Sequence, residues 1–385
     1  MQPGQAINPF APTPPPGQMV GGMGGAFPTG QSQDSLTGPI LGKGSELRKL
    51  YTMPENMGHM DGINCMIMAD GKIYSGGRDS QLFLWRGQPS PATTIELVQD
   101  CAPINVPSNI NSMYYDSASQ WLFAGLWGGQ IQGWCKQPVV SDTLNGHRKA
   151  VSSVTMHSSV LISGSNDGTV RLWTANQQMG RFQAHGQPID IPGGMVTAVK
   201  VLNDGLWVGH QQGITCIDLA TLQAKGTIPS PHPVSAMLPY EGHMFATFRN
   251  GDVKIFGPTG DQVYHHPSRG EHTSNTSVEL MIHPIAQKPM LLCGQCYGYI
   301  TAYDLPEFRP RGSACIRNGS DVRAIVDLKA DGMFVVGGAR GDISLWQWCN
   351  PGAGGPGAAV SPFGTAPCGN PLAAGGGCCM GGMMR

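Results

Sequence analysis

The sequence predicts an all-β fold, a seven-bladed β-propeller with flexible Gly/Pro-rich tails at both ends. A pattern occurs seven times: a step of small residues, a polar turn, and a short strand that ends in an aromatic or bulky apolar residue. The residues that end these strands are Trp85, Trp134, Trp173, Ile217, Phe256, Tyr303 and Trp346. They are 39 to 49 residues apart, and repeats of about 40–45 residues with four strands each are typical of propeller blades.

The sequence divides into three regions at changes in composition. We expect flexible tails at 1–45 and 350–385 and a propeller at 46–349. Both tails are rich in Gly and Pro, and their charged residues are Asp34, Lys43 and Arg385. Segments with so few branched and aromatic side chains bury too little apolar surface to offset the entropy that is lost when a chain becomes ordered.

Composition and charge exclude several classes of protein. The formal net charge is −1, so no overall field attracts nucleic acid or an anionic membrane. No apolar run approaches the roughly 18 residues that a membrane helix needs, and the N-terminus lacks the basic and apolar regions of a secretory signal. The 11 cysteines are scattered, which is typical of reduced thiols. We therefore expect a cytoplasmic or nuclear protein without a membrane partner.

The first and third repeats are the most complete. In both, a Ser lies ten residues before the final Trp and an Asp lies six residues before it. A Gly-His pair precedes each repeat, and alternating apolar residues predict half-buried strands between tight turns. The residues that the two repeats share are His59, Ser75, Asp79 and Trp85, and His147, Ser163, Asp167 and Trp173.

These two repeats resemble complete WD40 repeats. The resemblance implies that each His–Ser–Asp–Trp set is a buried structural hydrogen-bond chain, which satisfies the indole N–H and a buried carboxylate. Ser, His and Asp also occur together in hydrolases. Because the set occurs twice at the repeat spacing and includes a Trp, we interpret it as structural, and we predict no catalytic residue and no enzymatic activity.

The other five repeats have the same strand pattern but lack the complete His–Ser–Asp–Trp set. The residues that stand in place of the Asp are Gly128, Gln211, Asn250, Tyr297 and Arg340. We still expect seven blades, because apolar packing between blades supplies most of the stability of such a ring. In WD40 proteins the chain ahead of the first repeat supplies the outer strand of the last blade. Residues 46–52 are in the right place to do this and to cover a free sheet edge.

The order of the repeats resembles one group of WD40 proteins, the plant-type proteins that combine a CCCH zinc finger with a seven-bladed propeller. The resemblance covers 46–349, and its most similar segments are 121–123, 289–293, 303–308, 321–325 and 341–348. It implies that the propeller is an interaction scaffold. The first cysteine, Cys65, already lies in the first repeat. We therefore expect the zinc finger to be absent, and any RNA-binding role of that finger is not carried over.

Two groups of residues have some features of metal ligands. Cys293 and Cys296 have the spacing of half a zinc site, but no second pair accompanies them, and we expect a core thiol and a loop thiol. The clustered histidines are His265, His266, His272 and His283. We predict that 257–277 is a long loop between the fifth and sixth blades with solvated histidines. The sequence thus predicts no metal and no cofactor.

One position in each repeat is predicted to lie in a loop at the mouth of the central channel. It lies seven residues before the residue that ends the repeat, and its occupants are Arg78, Trp127, Asn166, His210, Arg249, Cys296 and Ala339. We predict that four of these residues bind an acidic or aromatic-accepting peptide, because Arg and Trp are enriched in interface hot spots. These four are Arg78, Trp127, His210 and Arg249. The alternative is that the arginines are solvated and Trp127 packs against a neighbouring blade.

The sequence predicts a non-enzymatic protein-interaction scaffold, a monomer within a complex, whose protein partners it does not identify. One alternative is an RNA-associated regulatory protein like the zinc-finger relatives; the charge allows nucleic acid but does not indicate it. A second is a substrate adaptor of a ubiquitin ligase, although the Trp-Asp-x-Arg box of such adaptors is missing. A third is a hydrolase in the central channel, which would need clustered carboxylates or histidines there.

Overall fold

The structure of the chain, a computed structural model, is a ring of seven antiparallel β-sheets. It describes residues 47–348 apart from 56, 91–93, 136–139, 177–180, 269–273, 285, 317–318 and 330–331. The predicted tails at 1–45 and 350–385 lie outside these residues, so the domain boundaries stay a prediction. Among the described residues, no helix has the length and apolar character that crossing a bilayer requires.

Each sheet, or blade, has four consecutive neighbouring strands, to which blade 1 adds a short fifth strand, and the last blade takes one of its strands from the start of the chain. That first strand is β1 (Leu47–Thr52). Blade 1 consists of β2 (Ile63–Ala69), β3 (Lys72–Gly77), β4 (Gln81–Ser90) and β5 (Thr94–Gln99), and the short strand β6 (Ile104–Asn105) pairs with β4. Blade 2 consists of β7 (Ile110–Asp116), β8 (Trp121–Leu126), β9 (Ile131–Cys135) and β10 (Val140–Leu144). Blade 3 consists of β11 (Val151–His157), β12 (Val160–Ser165), β13 (Thr169–Asn176) and β14 (Arg181–Asp190).

The remaining blades follow in chain order. Blade 4 consists of β15 (Val196–Leu202), β16 (Gly205–His210), β17 (Gly213–Asp218) and β18 (Ala224–Pro229). Blade 5 consists of β19 (Val234–Tyr240), β20 (His243–Phe248), β21 (Val253–Phe256) and β22 (Gln262–His266). Blade 6 consists of β23 (Asn275–Ile282), β24 (Pro289–Gln295), β25 (Tyr299–Asp304) and β26 (Arg309–Cys315), with a 3₁₀ turn at Cys296–Gly298. Blade 7 consists of β27 (Val322–Asp327), β28 (Met333–Gly338), β29 (Ile343–Trp348) and β1.

The blades form a closed ring, because the first strands of successive blades contact one another all the way around, and β27 of the last blade contacts β2 of the first. Neighbouring strands within a blade are antiparallel, so the loops alternate between the two faces of the ring. We call one face the upper face; it carries the loops from the second to the third strand of each blade and the loops between blades. The lower face carries the other loops.

Strand β1 completes blade 7. It pairs antiparallel with β29, and Leu47 lies opposite Trp348 while Thr52 lies opposite Ser344. The segment expected to close the ring, 46–52, coincides with β1 except for residue 46, which is outside the described residues. The pairing covers the edge of β29 that a three-stranded blade would leave open.

The small residues of each repeat lie where neighbouring blades come into close contact. A methyl group added at Gly164 would lie 2.5 Å from Cγ1 of Val196, the first residue of the next blade. The equivalent pairs are Gly76–Ile110, Gly125–Val151, Gly209–Val234, Gly294–Val322 and Gly337–Ile63. At the junction of blades 5 and 6, Thr247 and Asn275 take the two places. At the six junctions with glycine these contacts leave no room for a side chain, which explains why four of the five incomplete repeats keep a glycine at this step.

The long loop predicted between blades 5 and 6 is wrong, because the segment contains β22 and the start of β23. Strand β22 pairs with β21, and the ring of His266 packs against Tyr303 and Phe308 at centroid distances of 4.9 and 5.5 Å. Nε2 of His265 lies 3.0 Å from Oδ2 of Asp252. Apolar and polar residues do not alternate clearly in β22, so the strand is not evident from its own sequence. Its pairing with β21 and the packing of His266 against blade 6 stabilise it.

Candidate partner-binding face

The His–Ser–Asp–Trp set of blade 1 forms one buried hydrogen-bond chain. Nε1 of Trp85 donates to Oγ of Ser75 at 2.7 Å, and this oxygen lies 2.8 Å from Nε2 of His59. Nδ1 of His59 lies 2.9 Å from Oδ2 of Asp79. A proton on Nδ1 lets His59 donate to the carboxylate and accept the hydroxyl proton of Ser75, so every member of the chain is satisfied.

The set of blade 3 has the same connections. Trp173 donates to Ser163 at 2.8 Å, Nε2 of His147 lies 2.8 Å from Oγ of Ser163, and Nδ1 of His147 lies 3.1 Å from Oδ2 of Asp167. Burial acts to raise the pKa of Asp167, but hydrogen bonds from the Arg148 amide and from neighbouring side chains outweigh it and lower the pKa to about 2. The carboxylate is therefore ionised and bound on several sides.

Both sets are closed to a substrate. Ser75 and Ser163 are fully buried, and each hydroxyl oxygen already contacts an indole and an imidazole. A nucleophilic serine must reach the carbonyl that it attacks, and these two have no such access. The hydrogen bonds instead fasten the loops that carry His59 and His147 to their blades.

His210 is not on the surface, and its assignment to the partner-binding surface is wrong. It is the last residue of β16 and is 1% exposed. Its Nε2 lies 3.0 Å from Oγ1 of Thr215, and its Nδ1 accepts a hydrogen bond from the amide of Gln212 at 3.2 Å. The turn after β16 has two residues, where the equivalent turn of blade 1 has three. Counting seven residues back from Ile217 therefore reaches the last residue of β16 and not a residue of the turn.

Blades 1 and 4 each bury an imidazole but take it from different elements. In blade 1 the ring belongs to the loop residue His59, and Gly77 on the strand leaves room for it, since a methyl group there would lie 2.6 Å from Nδ1. In blade 4 the ring belongs to His210 on the strand, and Gly193 in the loop leaves the room; a methyl group there would lie 1.9 Å from Nδ1. Gly77 and His210 have equivalent register positions, so glycine and histidine have exchanged places.

Arg78, Trp127 and Arg249 are exposed, and each lies in a loop between the second and third strands of its blade. These loops belong to the upper face. Trp127 is 61% exposed, so it does not pack against a neighbouring blade, which was the alternative that the sequence left open. The structure thus brings three of the four predicted residues to one face and leaves His210 beneath it.

Sequence reasoning missed most of the apolar residues that are exposed on the upper face. Met57 and Met60 lie between β1 and β2, Met195 lies between β14 and β15, and Tyr297 lies in the 3₁₀ turn of blade 6. With Trp127 they make five of the six large apolar side chains recorded as exposed among the described residues; the sixth, on the lower face, is Ile282. Counting back from the end of each repeat does not reach the loops between blades, where three of these residues lie.

Charged residues on the first strands of blades 4, 6 and 7 affect one another's protonation. Burial raises the pKa of Glu279 to about 7, and the carboxylate of Asp327 acts in the same direction. Burial lowers the pKa of Lys200, and Glu279 partly opposes this. These three residues are interacting charges on first strands, which contact one another around the centre of the ring. They comprise one cation and two acids and do not by themselves define a reaction.

The cysteine and histidine pairs do not form a metal centre among the described residues, where no group of three His, Cys, Asp or Glu side chains could hold a metal ion. Cys293 lies in the core of blade 6, and burial raises the pKa of its thiol to about 12. Cys296 lies in the 3₁₀ turn and is partly buried. The two thiols thus occupy different environments, a core and a loop.

Comparisons with known proteins agree with this fold. The family described as "WD domain, G-beta repeat" matches residues 139–174, which include the hydrogen-bonded set of blade 3. Zinc finger CCCH domain-containing protein 17 of Oryza sativa subsp. japonica is 25% identical over 300 residues, which cover 73% of this chain and 62% of that protein. Zinc finger CCCH domain-containing protein 63 of Arabidopsis thaliana is 23% identical over 305 residues, which cover 76% of this chain and 65% of that protein. The chain thus spans less than two thirds of the length of these curated relatives.

A solved structure gives the same architecture. The crystal structure of the WD40 β-propeller domain of Doa1 superimposes with a TM-score of 0.60 at 18% identity, and the match covers 78% of this chain and 96% of that chain. Similarity at this level of identity concerns the fold alone.

Proposed function

We propose that this WD40-repeat propeller is a non-enzymatic protein-interaction scaffold and that its upper face binds a protein partner. The surface comprises two of the predicted arginines and the exposed apolar residues of that face, namely Arg78, Arg249, Met57, Met60, Trp127, Met195 and Tyr297. His210 is no longer part of it. The proposal requires no cofactor and no chemical step.

The observation that carries the proposal is the unequal distribution of exposed apolar side chains. Of the six recorded among the described residues, five lie on one face of the ring, although both faces carry loops from every blade. Exposed apolar groups that gather on one surface mark interaction sites more often than scattered ones do. Trp, Tyr and Met are also residue types that are enriched in interfaces, so burial by a partner is the simplest reason for this distribution.

The test compares substitutions on the two faces. A tagged variant with Met60→Ser, Trp127→Ser and Tyr297→Ser is purified from cells together with its partners, and the partners are identified by mass spectrometry. The matched control is Ile282→Ser on the lower face. Circular dichroism and thermal unfolding establish that both variants remain folded.

We expect the upper-face variant to lose partners that the wild type and the Ile282→Ser variant retain. An unchanged set of partners in the upper-face variant would contradict the proposal. It would indicate that partners bind to the lower face or to the outer edges of the blades. The same purification identifies the partners and shows whether one copy or several copies of the chain are present in the complex.

A further inference from the structure

Trp127 differs from every other tryptophan of the chain. The other seven are at most 8% exposed and belong to the core, whereas Trp127 is 61% exposed. A tryptophan in water leaves a large apolar surface hydrated, and burying such a surface is worth several kcal/mol at an interface. The side chain has no structural role within the blade that would explain its presence.

The backbone of Trp127 is held firmly although its side chain is exposed. Its amide donates to the carbonyl of Asn109 at 2.9 Å, and the next amide, of Gly128, donates to Oγ of Ser108 at 3.0 Å. Gly129 has a φ of +88°, and a methyl group there would lie 2.5 Å from the carbonyl oxygen of His147. The turn is therefore fixed between two loops, and a partner that contacts the indole would lose little affinity to ordering of this turn.

Three exposed cations lie in the loops that hold this turn. On one side, Ser80 donates to Oδ1 of Asn109 at 3.2 Å, and Arg78 belongs to the same short turn as Ser80. On the other side, Arg148 and Lys149 follow directly after His147 in the loop that touches Gly129. We call Trp127 with Arg78, Arg148 and Lys149 the Trp127 patch; it extends over blades 1 to 3 of the upper face.

The positive charge of the Trp127 patch is only partly balanced within the described part of the chain. No ion pair is recorded there for Arg78, Arg148 or Lys149. Two carboxylates adjoin these cations and are already hydrogen-bonded: Asp79, in the turn of Arg78, contacts His59 and the Met60 amide, and Asp167, in the turn between the second and third strands of blade 3, contacts His147 and the Arg148 amide. The three cations are exposed, whereas the side chains of these two ionised carboxylates are 8% exposed, so the surface around Trp127 presents more positive than negative charge.

We infer that the Trp127 patch binds an acidic peptide segment that carries a bulky apolar side chain. The acidic groups face the three cations, and the apolar side chain covers the indole of Trp127. The inference rests on the proposed function and names the chemistry of its partner. Unpaired cations and an exposed tryptophan complement these two features, and opposite charge also increases the rate of encounter.

Single-stranded nucleic acid is the other polyanion that could use a tryptophan and cations. Proteins that bind it without base readout stack successive bases on several aromatic side chains. The patch has one aromatic residue, and the next exposed aromatic residue of the upper face, Tyr297, is in blade 6. The spacing of aromatic groups therefore favours a peptide.

The experiment uses three defined probes and the full chain. The first is a fluorescein-labelled pool of short peptides in random order that contain only Asp, Glu, Leu and Phe. The second pool has Lys in place of the acids, and the third probe is a labelled oligouridylate of the same length. Binding is measured by fluorescence anisotropy at physiological salt. Acrylamide quenching is a second readout, because Trp127 is the exposed tryptophan and a bound probe shields it.

The variants separate the Trp127 patch from the rest of the upper face. Trp127→Phe identifies the quenchable part of the emission, Trp127→Ala removes the apolar contact, and the double substitution Arg148→Glu, Lys149→Glu reverses two of the charges. Arg340→Glu is the control, since Arg340 is an exposed cation in the loop between the second and third strands of blade 7 and is not part of the proposed partner-binding surface.

We expect the acidic pool to bind the wild type and the Arg340→Glu variant equally and to shield Trp127. Trp127→Ala and the double variant should each weaken binding at least ~10-fold, equivalent to ~1.4 kcal/mol. Equal binding of the Lys pool, absence of shielding, or an unchanged affinity of both variants would overturn the inference. Tighter binding of the oligouridylate would replace it with a nucleic-acid site.

The outcome is distinguishable from a failure of the proposed function. If the acidic pool does not bind but the upper-face variant still loses partners in the purification, the scaffold proposal stands and the inference on partner chemistry fails. If the acidic pool does not bind and the partners are also unchanged, both fail.

Discussion

The hydroxyl of Ser152 in blade 3 donates a hydrogen bond of 2.5 Å to the backbone carbonyl of Val196 in blade 4. Ser152 is the second residue of a first strand, at a register shift that recurs in all seven blades. The residues at this position are all polar: Asn64, Asn111, Ser152, Thr197, Ser235, Thr276 and Arg323. Asn64 and Thr276 make the same bond to the first residue of the next blade. The inner rim of the ring thus contains direct polar links between adjacent blades.

Removing one of these links should destabilise the propeller by about 1 kcal/mol, because the carbonyl of Val196 would lose its donor from the preceding blade. The variant is Ser152→Ala, and its free energy of unfolding is measured by urea denaturation. Ser235→Ala is a matched control, since Ser235 has the same position in blade 5 but its Oγ has no partner among the described residues. Equal effects of the two substitutions would show that the hydrogen bond contributes nothing.

The close contact between glycine and the next blade predicts a second pair of variants. Gly164→Ala should destabilise by about 1–3 kcal/mol, because the new methyl group meets the branched side chain of Val196 in a packed interior. Gly226→Ala in β18 has no atom within 4 Å of the new methyl group and should be neutral or stabilising. Thermal unfolding of both variants checks this, and similar melting temperatures would mean that the blades move apart at little cost.

The hydrogen-bonded set of blade 3 predicts a pH-dependent loss of stability. The pKa of Asp167 is lowered from its ordinary value of 3.8 to about 2 in the folded chain. The stability that its ionised form contributes is present above about pH 4 and is lost as the pH falls towards 2. Asp167→Asn should therefore cost about 1–3 kcal/mol at pH 7 and clearly less near pH 2. Asp190→Asn, at an exposed aspartate of the same face, is the control. A cost that does not change with pH would contradict a low pKa.

Glu279 predicts the opposite dependence on pH. Its pKa is raised from 4.5 to about 7 in the folded chain, so the folded chain binds this proton more tightly than the unfolded chain does. The associated stability is fully present below pH 4.5 and is lost as the pH rises through 7. Glu279→Gln should thus leave stability unchanged near pH 4.5 and increase it by about 1–3 kcal/mol at pH 8. Denaturant midpoints across this range, with exposed Glu307→Gln as a control, measure the difference. A constant offset between the variant and the wild type would show that Asp327 and Lys200 balance the charge of Glu279.

Features that repeat along the chain could be predicted from sequence. The seven blades, the small-residue steps and the two hydrogen-bonded sets all depend on local spacing, because each blade is built from consecutive strands joined by short turns. Even the outer strand of blade 7 is recognisable from its place ahead of the first repeat. The exposure of Arg78, Trp127 and Arg249 follows for the same reason, since each is the first residue of a turn of three or four residues between the second and third strands of its blade.

Other features depend on neighbouring blades, which spacing does not describe. His210 is buried because its turn is one residue shorter and because Gly193, in another loop, leaves space for its ring. Strand β22 forms because aromatic side chains of blade 6 cover His266. The gathering of Met60, Trp127 and the cations around it on one face is likewise a consequence of ring closure. Sequence alone determined the repeating unit, whose contacts are short in range, and the tertiary structure decided which side chains lie beneath a neighbour and which remain available to a partner.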